Sequence, residues 1–452
     1  MSNVVIIGGG PAGLEAARQA RRAGYTVQLV SATPAGGRAT MGSLLPSKVW
    51  LHAAGGHGQT NAGAIVSHIN ATRKEWIAQN SSELAAAGVE LVQGRAVLNA
   101  SNAVDVYEGD EPAPVRTLQG EAIIIAAGSE PTFAPGVKPN GDRIIAPRHT
   151  QTLTAIPEHI VFVGGGVTTT EYASAFAALG SRVEICTRGA RLLSRGEKEV
   201  AEAITHHLET DQGISVHRRT AITKVEQVGD RVHTHTADGR VIESSHAFIA
   251  TGRAADLSCI DAGGADSASR FRRRSDGGLE TDAQGQTSVP TVYAIGDAAG
   301  GTFTVAKAVH EAREAVRAVG GETPADAPVA AVTPPTATSP GHVEILEAVY
   351  SNPEVAWVGP VDSLPEESTD EYELVRRSYT ALLAAHIHGS TAGFVKLWIR
   401  RSDDTVVAGA AFGEQAATLC TFIQLACNAG LTVEQISRIP GGHPTIVEIF
   451  SA

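Results

Sequence analysis

Two stretches of the chain carry the same pattern of apolar and polar positions. Residues 3–30, "NVVIIGGGPAGLEAARQARRAGYTVQLV", open on an apolar run, turn at three glycines, continue with apolar positions at helical spacing and close on a second apolar run. Residues 159–195, "HIVFVGGGVTTTEYASAFAALGSRVEICTRGARLLSR", repeat that grammar. A short apolar run bounded by turns reads as a strand buried on both faces, and a helix between two such runs makes a βαβ unit. Two of these units predict an α/β protein with two Rossmann-like nucleotide-binding domains.

The glycine turns sharpen that reading. In the first unit Gly8 makes the tight turn, Gly10 lets a pyrophosphate approach the backbone, and Gly13 packs the helix against the strand. The helix N-terminal amides and dipole then hold the phosphates. In the second unit Gly164 and Gly166 take the first two positions, but Thr169 takes the third. One site for FAD and one for NAD(P)H is the expectation.

Where each second strand ends, a carboxylate commonly binds the ribose hydroxyls. The first unit has Ser31 there, and no Asp or Glu occurs between Glu15 and Glu75. Ser31 offers only a neutral hydrogen bond, about 1 kcal/mol net against about 1.5–3 kcal/mol for a charged one. The second unit has Thr187, followed by Arg188, Arg191 and Arg195. Loss of the acid removes repulsion toward a 2′-phosphate and arginines can clamp one, so Arg188 is assigned to cofactor binding and NADPH is expected over NADH.

Length and charge narrow the class. A chain of 452 residues is expected to form two or three domains. The net charge of −12 argues against nucleic acid or an anionic membrane as the main partner. No run of eighteen apolar residues predicts a membrane span, and "NVVIIGGG" begins a strand where a leader peptide would lie, so a cytoplasmic protein is expected. The four cysteines, Cys186, Cys259, Cys420 and Cys427, have no CxxC or zinc spacing, and buried thiols are expected, with no metal site.

With these pieces placed, the chain resembles the pyridine nucleotide–disulfide oxidoreductases over nearly its whole length. "AIIIAAGSEP" (122–131, with Gly128) looks like the close of the first FAD segment, and "AFIATGRAAD" (247–256) like the end of the NAD(P) domain. "VYAIGDAAGG" (292–301) is similar to the second FAD motif, in which Asp297 would bond the ribityl chain; "HEAR" (310–313) follows on a helix. "SNPEVAWVG" (351–359) and "GGHPTIVEIF" (441–450) resemble the two ends of the family's dimerisation domain. The resemblance implies a discontinuous FAD domain at 1–145 and 275–330, an NAD(P) domain at 146–274 and an α+β dimerisation domain at 342–452, with a Pro/Ala/Thr-rich linker at 320–341. A homodimer follows, each chain lending His443 to the other's flavin.

The resemblance also assigns the chemistry. Lys48 and Glu171 match an ion pair beside the flavin, where a cation stabilises the reduced ring. His443 and Glu448 match the pair that handles protons. In "GGRATMGSLLPSK" (36–48), however, the positions of the redox-active cysteines hold Ala39 and Leu44. Neither can form a thiolate or a mixed disulfide. Cys420 and Cys427 lie two turns apart on an expected helix, too far for a direct bridge. Gly441 opens further space near His443. The expected activity is FAD-dependent oxidation of NAD(P)H with hydride passed to a small non-disulfide acceptor, most readily a quinone. A soluble transhydrogenase and a non-catalytic nucleotide sensor are the competing expectations.

Overall fold

The computed structural model describes residues 2–58, 60–99, 102–321, 343–439 and 441–451. Apart from Gly320 and Gly321, the expected linker at 320–341 lies outside the described residues. The chain divides into two compact units: Met1–Pro46, Ser67–Thr132 and Gly252–Pro328 form one, and Ser47–Val66, Phe133–Thr251 and Val329–Ala452 the other.

The first unit is built on a parallel five-stranded sheet in the order Val292–Ala294, Ala122–Ile125, Asn3–Ile7, Thr26–Ser31, Glu90–Gln93. Its apolar runs serve both faces, as a doubly covered sheet requires. Val4, Ile6 and Leu29 pack on one side with the helix Pro11–Arg22, while Val5, Ile7 and Val30 pack on the other. The helix Val305–Val319 lies along Pro11–Arg22, joined by an Arg313–Glu15 ion pair of 2.7 Å.

The second unit contains another parallel sheet, in the order Ser215–His217, Arg182–Cys186, His159–Val163, His246–Ile249, Ile144–Ile145. It also holds an antiparallel sheet ordered Glu347–Val349, Glu354–Val358, Thr405–Gly413, Phe394–Arg400, Tyr372–Ser378, against which the helix Ala416–Ala429 packs. That helix carries Cys420 and Cys427, and all four cysteines are free and buried.

The first compact unit is interrupted at 133–251, and strand pairing accounts for both edges. Ile144 pairs with Ala247, which adds Ile144–Ile145 to the second unit's parallel sheet. Arg253–Ala255 pairs antiparallel with Ser129–Pro131, which returns those residues to the first. Residues 47–66 also belong to the second unit. Trp50 anchors them, fully buried, with its ring 5.1 Å from Phe176 and its Nε1 donating to the Thr150 carbonyl at 3.3 Å.

Candidate active site

In the first unit the three glycines differ in what demands them. Gly8 sits at φ +112°, where an added Cβ would lie 2.2 Å from the Ala126 carbonyl oxygen. A Cβ on residue 13 would lie 1.9 Å from the Gly8 carbonyl oxygen, so helix and strand meet through bare backbone. At Gly10 the nearest atom to such a Cβ is 3.9 Å away, and at Gly128 nothing lies within 4 Å. The protein itself leaves open space at these two positions, as a cradle for a ligand's pyrophosphate requires.

Ser31 closes its strand as expected but is largely committed. Its hydroxyl donates to the Thr33 carbonyl at 2.7 Å and accepts from the Thr33 N–H at 3.3 Å. One lone pair remains for a ribose. Asp297 stands on the turn Gly296–Ala299 and accepts from the Ser129 hydroxyl, which in turn accepts from Arg253 Nε at 2.8 Å. Glu311 of "HEAR" accepts from the Gly296 N–H at 2.7 Å and pairs with Lys307, and burial pushes its carboxyl up. It braces the turn that carries Asp297. The sequence flagged this glutamate's motif without revealing that role.

The segment 36–48 contains a feature that periodicity did not predict. Thr40–Leu44 is a single π-turn, in which Leu45 N–H donates to the Thr40 carbonyl. In that register Met41 would look to residue 46, which is Pro46 and has no N–H. Arg73 Nη2 supplies the missing donor to the Met41 carbonyl at 3.3 Å. Leu44, on this turn, is 40% exposed.

In the second unit Lys48 and Glu171 do meet. Lys48, on the helix Leu45–Ala54, places Nζ 2.5 Å from Glu171 Oε1; Glu171, on Val167–Ala178, is buried. Tyr350 completes the arrangement: its ring lies 4.6 Å from the ammonium, and its backbone N–H donates to the same carboxylate oxygen at 3.1 Å. Tyr350 immediately precedes "SNPEV", and only its aromatic type beside a marked motif hinted at this contact.

The second glycine turn repeats the first with one change. Gly164 at φ +137° presses on the Ala250 carbonyl, while Gly166 opens on empty space. Thr169 is fully buried, and its Oγ1 has no hydrogen-bond partner among the described residues. Thr187 folds back, accepting from the Gly189 N–H at 3.2 Å. Of the three arginines expected near a 2′-phosphate, Arg188 and Arg195 are exposed. Arg191 instead spends its guanidinium on the carbonyls of Ser194, Gly196 and Glu197.

His443 and Glu448 also pair, at 2.8 Å between Nδ1 and Oε1. The Thr445 N–H and then His443 hold the Glu448 carboxyl below its usual range, so it remains an anion that orients the ring. The imidazole is 64% exposed and its Nε2 points away from the pair. No bond joins this pair to Lys48–Glu171 among the described residues.

The four thiols offer no substitute redox pair. Burial pushes Cys186 and Cys259 up to about 12, and raises Cys420 and Cys427 further. None forms a thiolate at neutral pH.

Known proteins match this chain along its length. Residues 2–316 match the pyridine nucleotide-disulphide oxidoreductase model, and 345–452 that family's dimerisation domain. The dihydrolipoyl dehydrogenase of Chlorobaculum tepidum is 30% identical, covering 99% of this chain and 95% of its own; that of Bacillus subtilis is 28% identical over 99% and 94%. Among solved structures, LpdA of Mycobacterium tuberculosis superposes with a TM-score of 0.89 at 23% identity, covering 99% of this chain and 97% of its own. The flavoprotein disulfide reductase RclA of Escherichia coli gives 0.84 at 20% identity, over 100% and 98%. These two likenesses show the mixed α/β fold, and the two family models give it the architecture of FAD/NAD-binding and dimerisation domains. Among the described residues no helix is long and apolar enough to cross a membrane.

Proposed function

The chain belongs to the pyridine nucleotide-disulphide oxidoreductase family, whose members use FAD and NAD(P)H, and from that premise we propose that it passes reducing equivalents from NAD(P)H to a quinone-like, non-disulfide acceptor. One observation carries the reading. Lys48 keeps its ion pair with the buried Glu171, while the same segment holds Ala39 and Leu44 where the family's chemistry requires thiols.

FAD, when bound, supplies the transfer itself, taking a hydride from NAD(P)H and yielding two electrons to the acceptor. The first unit would hold it through Gly8, Gly10, Gly13, Gly128 and Asp297. Phe133–Thr251 would hold the nicotinamide dinucleotide at Gly164 and Gly166, with Arg188 answering a 2′-phosphate and favouring NADPH. Lys48 keeps a positive charge in a direction set by Glu171 and Tyr350. With Glu448 accepting from Nδ1–H, His443 leaves Nε2 as the ring atom at which a proton would be taken up or delivered, which suits proton transfer to a reduced acceptor. The dimerisation domain supports a homodimer as the working form.

Purified protein titrated anaerobically with NADPH and then NADH should lose its yellow colour, more readily with NADPH. It should then oxidise NADPH in the presence of benzoquinone or menadione, and should not reduce NAD with dihydrolipoamide. Turnover of dihydrolipoamide would overturn the proposal. Reduction of thio-NAD by NADPH without quinone turnover would move the reading to transhydrogenation.

A further inference from the structure

An ammonium lies buried in the second unit, far along the chain from the pairs described above. Lys396, on the strand Phe394–Arg400, is 3% exposed; its Nζ lies 2.7 Å from Glu197 Oε1 and 3.0 Å from Glu199 Oε2. Glu197 is itself 4% exposed. Arg376 neutralises the second carboxylate at 2.8 Å, so two cations face two anions. A buried pair of this kind adds little net stability, because desolvation offsets attraction, but it fixes geometry.

What it fixes is one end of the loop that carries Arg188. Glu197 is the N-cap of the helix Lys198–Thr210, accepting from the Val200 N–H through its other oxygen at 2.8 Å. Its carbonyl, with those of Gly196 and Ser194, receives the Arg191 guanidinium and closes the loop on itself. Gly196 sits flat against Trp357, where an added Cβ would approach the ring to 3.0 Å. At its other end the loop is tied to the second glycine turn, because the Leu193 N–H donates to the Gly165 carbonyl at 2.8 Å. Thr187 also presses on Gly165, leaving no space for a Cβ there. The antiparallel sheet therefore braces a rigid loop that runs from the glycine turn past Arg188 to the buried ammonium.

We propose that Lys396 is a positioning residue for nucleotide selection: through Glu197 it sets the loop on which Arg188 meets a 2′-phosphate. This rests on the reading of the second site as NADPH-preferring. Lys396→Met alone would strand Glu197 without a counter-charge, so the test pairs it with Glu197→Gln, which keeps an acceptor for Val200. Steady-state kinetics with benzoquinone are measured for NADPH and for NADH, alongside the melting temperature and flavin content. The paired variant should stay folded and yellow, with KM for NADPH raised roughly tenfold, the scale of one lost charged hydrogen bond. KM for NADH and both kcat values should stay within about twofold, as expected when only ground-state binding is lost. Glu199→Gln removes the half-exposed partner alone and should shift the NADPH-to-NADH ratio in the same direction by about twofold or more. If the paired variant does not fold, this milder one decides. An unchanged ratio in a folded variant, or equal rises for both nucleotides, overturns the inference. Failure of the wild-type protein to prefer NADPH would instead overturn the reading on which it rests.

Discussion

The two glycine turns of this chain share a fingerprint and differ in how closely helix and strand approach. At the first, residue 13 must be glycine because a Cβ would lie 1.9 Å from the Gly8 carbonyl oxygen. At the second, the same position is filled by Thr169, fully buried and with no partner for its hydroxyl among the described residues. A spacing of glycines therefore records a turn with open space at Gly10 and Gly166 in both places, but a close backbone contact in only one. The strand ends differ less. Ser31 and Thr187 both fold back onto their own loops, and neither supplies a carboxylate.

The largest effect follows from the tight contact. Gly13→Ala would drive a methyl into the Gly8 carbonyl and force the helix off the sheet, and overpacking of this kind costs about 1–3 kcal/mol or more. The expected outcome is protein purified without FAD and with a lowered melting temperature. Thr169→Ala, the matching change at the second turn, should leave both flavin content and melting temperature close to wild type. A yellow, stable Gly13→Ala protein would break the comparison.

Next in size is the charge that distinguishes the second site. Arg188→Ala should raise KM for NADPH by about ten- to a hundredfold, the range of a lost charged hydrogen bond of about 1.5–3 kcal/mol. KM for NADH should hardly move. Because Arg191 is occupied by three backbone carbonyls, Arg191→Ala should act indirectly, loosening the loop that carries Arg188 and raising KM for NADPH by less than Arg188→Ala does, with KM for NADH nearly unchanged. A larger loss of NADPH affinity from Arg191→Ala than from Arg188→Ala would reverse these roles.

Much of the fold was legible because parallel strands buried on both faces read as unbroken apolar runs. Asn3–Ile7, Thr26–Ser31, His159–Val163 and Arg182–Cys186 appear where that pattern placed them. The edges of the two compact units were not legible, since Ile144–Ile145 and Arg253–Ala255 are too short to show a period and their membership is set by distant partners. Nor was the departure of residues 47–66, which depends on Trp50 finding Phe176. At the candidate site, Lys48 and Glu171 have no local signal linking them and were paired only through the family resemblance. Lys396 did leave a trace, a single charge inside the apolar run "FVKLWI", where a lone cation requires a buried partner.

A smaller effect tests Ser31. Ser31→Ala abolishes the bond to the Thr33 carbonyl and should cost about 1 kcal/mol of stability. Because that hydroxyl's proton is already used, the dissociation constant for FAD, measured by fluorescence on reconstituted apoprotein, should change by less than about threefold. A tenfold weakening would show that ribose, rather than the loop, is the main partner.

The smallest effect asks why Thr169 carries a hydroxyl at all. Thr169→Val preserves shape and branching, so helix propensity and packing are nearly unchanged. It removes a buried oxygen with no partner among the described residues, whose desolvation costs about 1–3 kcal/mol if nothing else satisfies it. The variant should therefore melt about 2 °C higher, with KM for NADPH unchanged. The opposite outcome is equally readable. If the valine protein is no more stable and binds NADPH several-fold more weakly, the hydroxyl is serving the nucleotide at the second turn. Thr169 would then do with a side chain some of what Gly13 does at the first turn by having none.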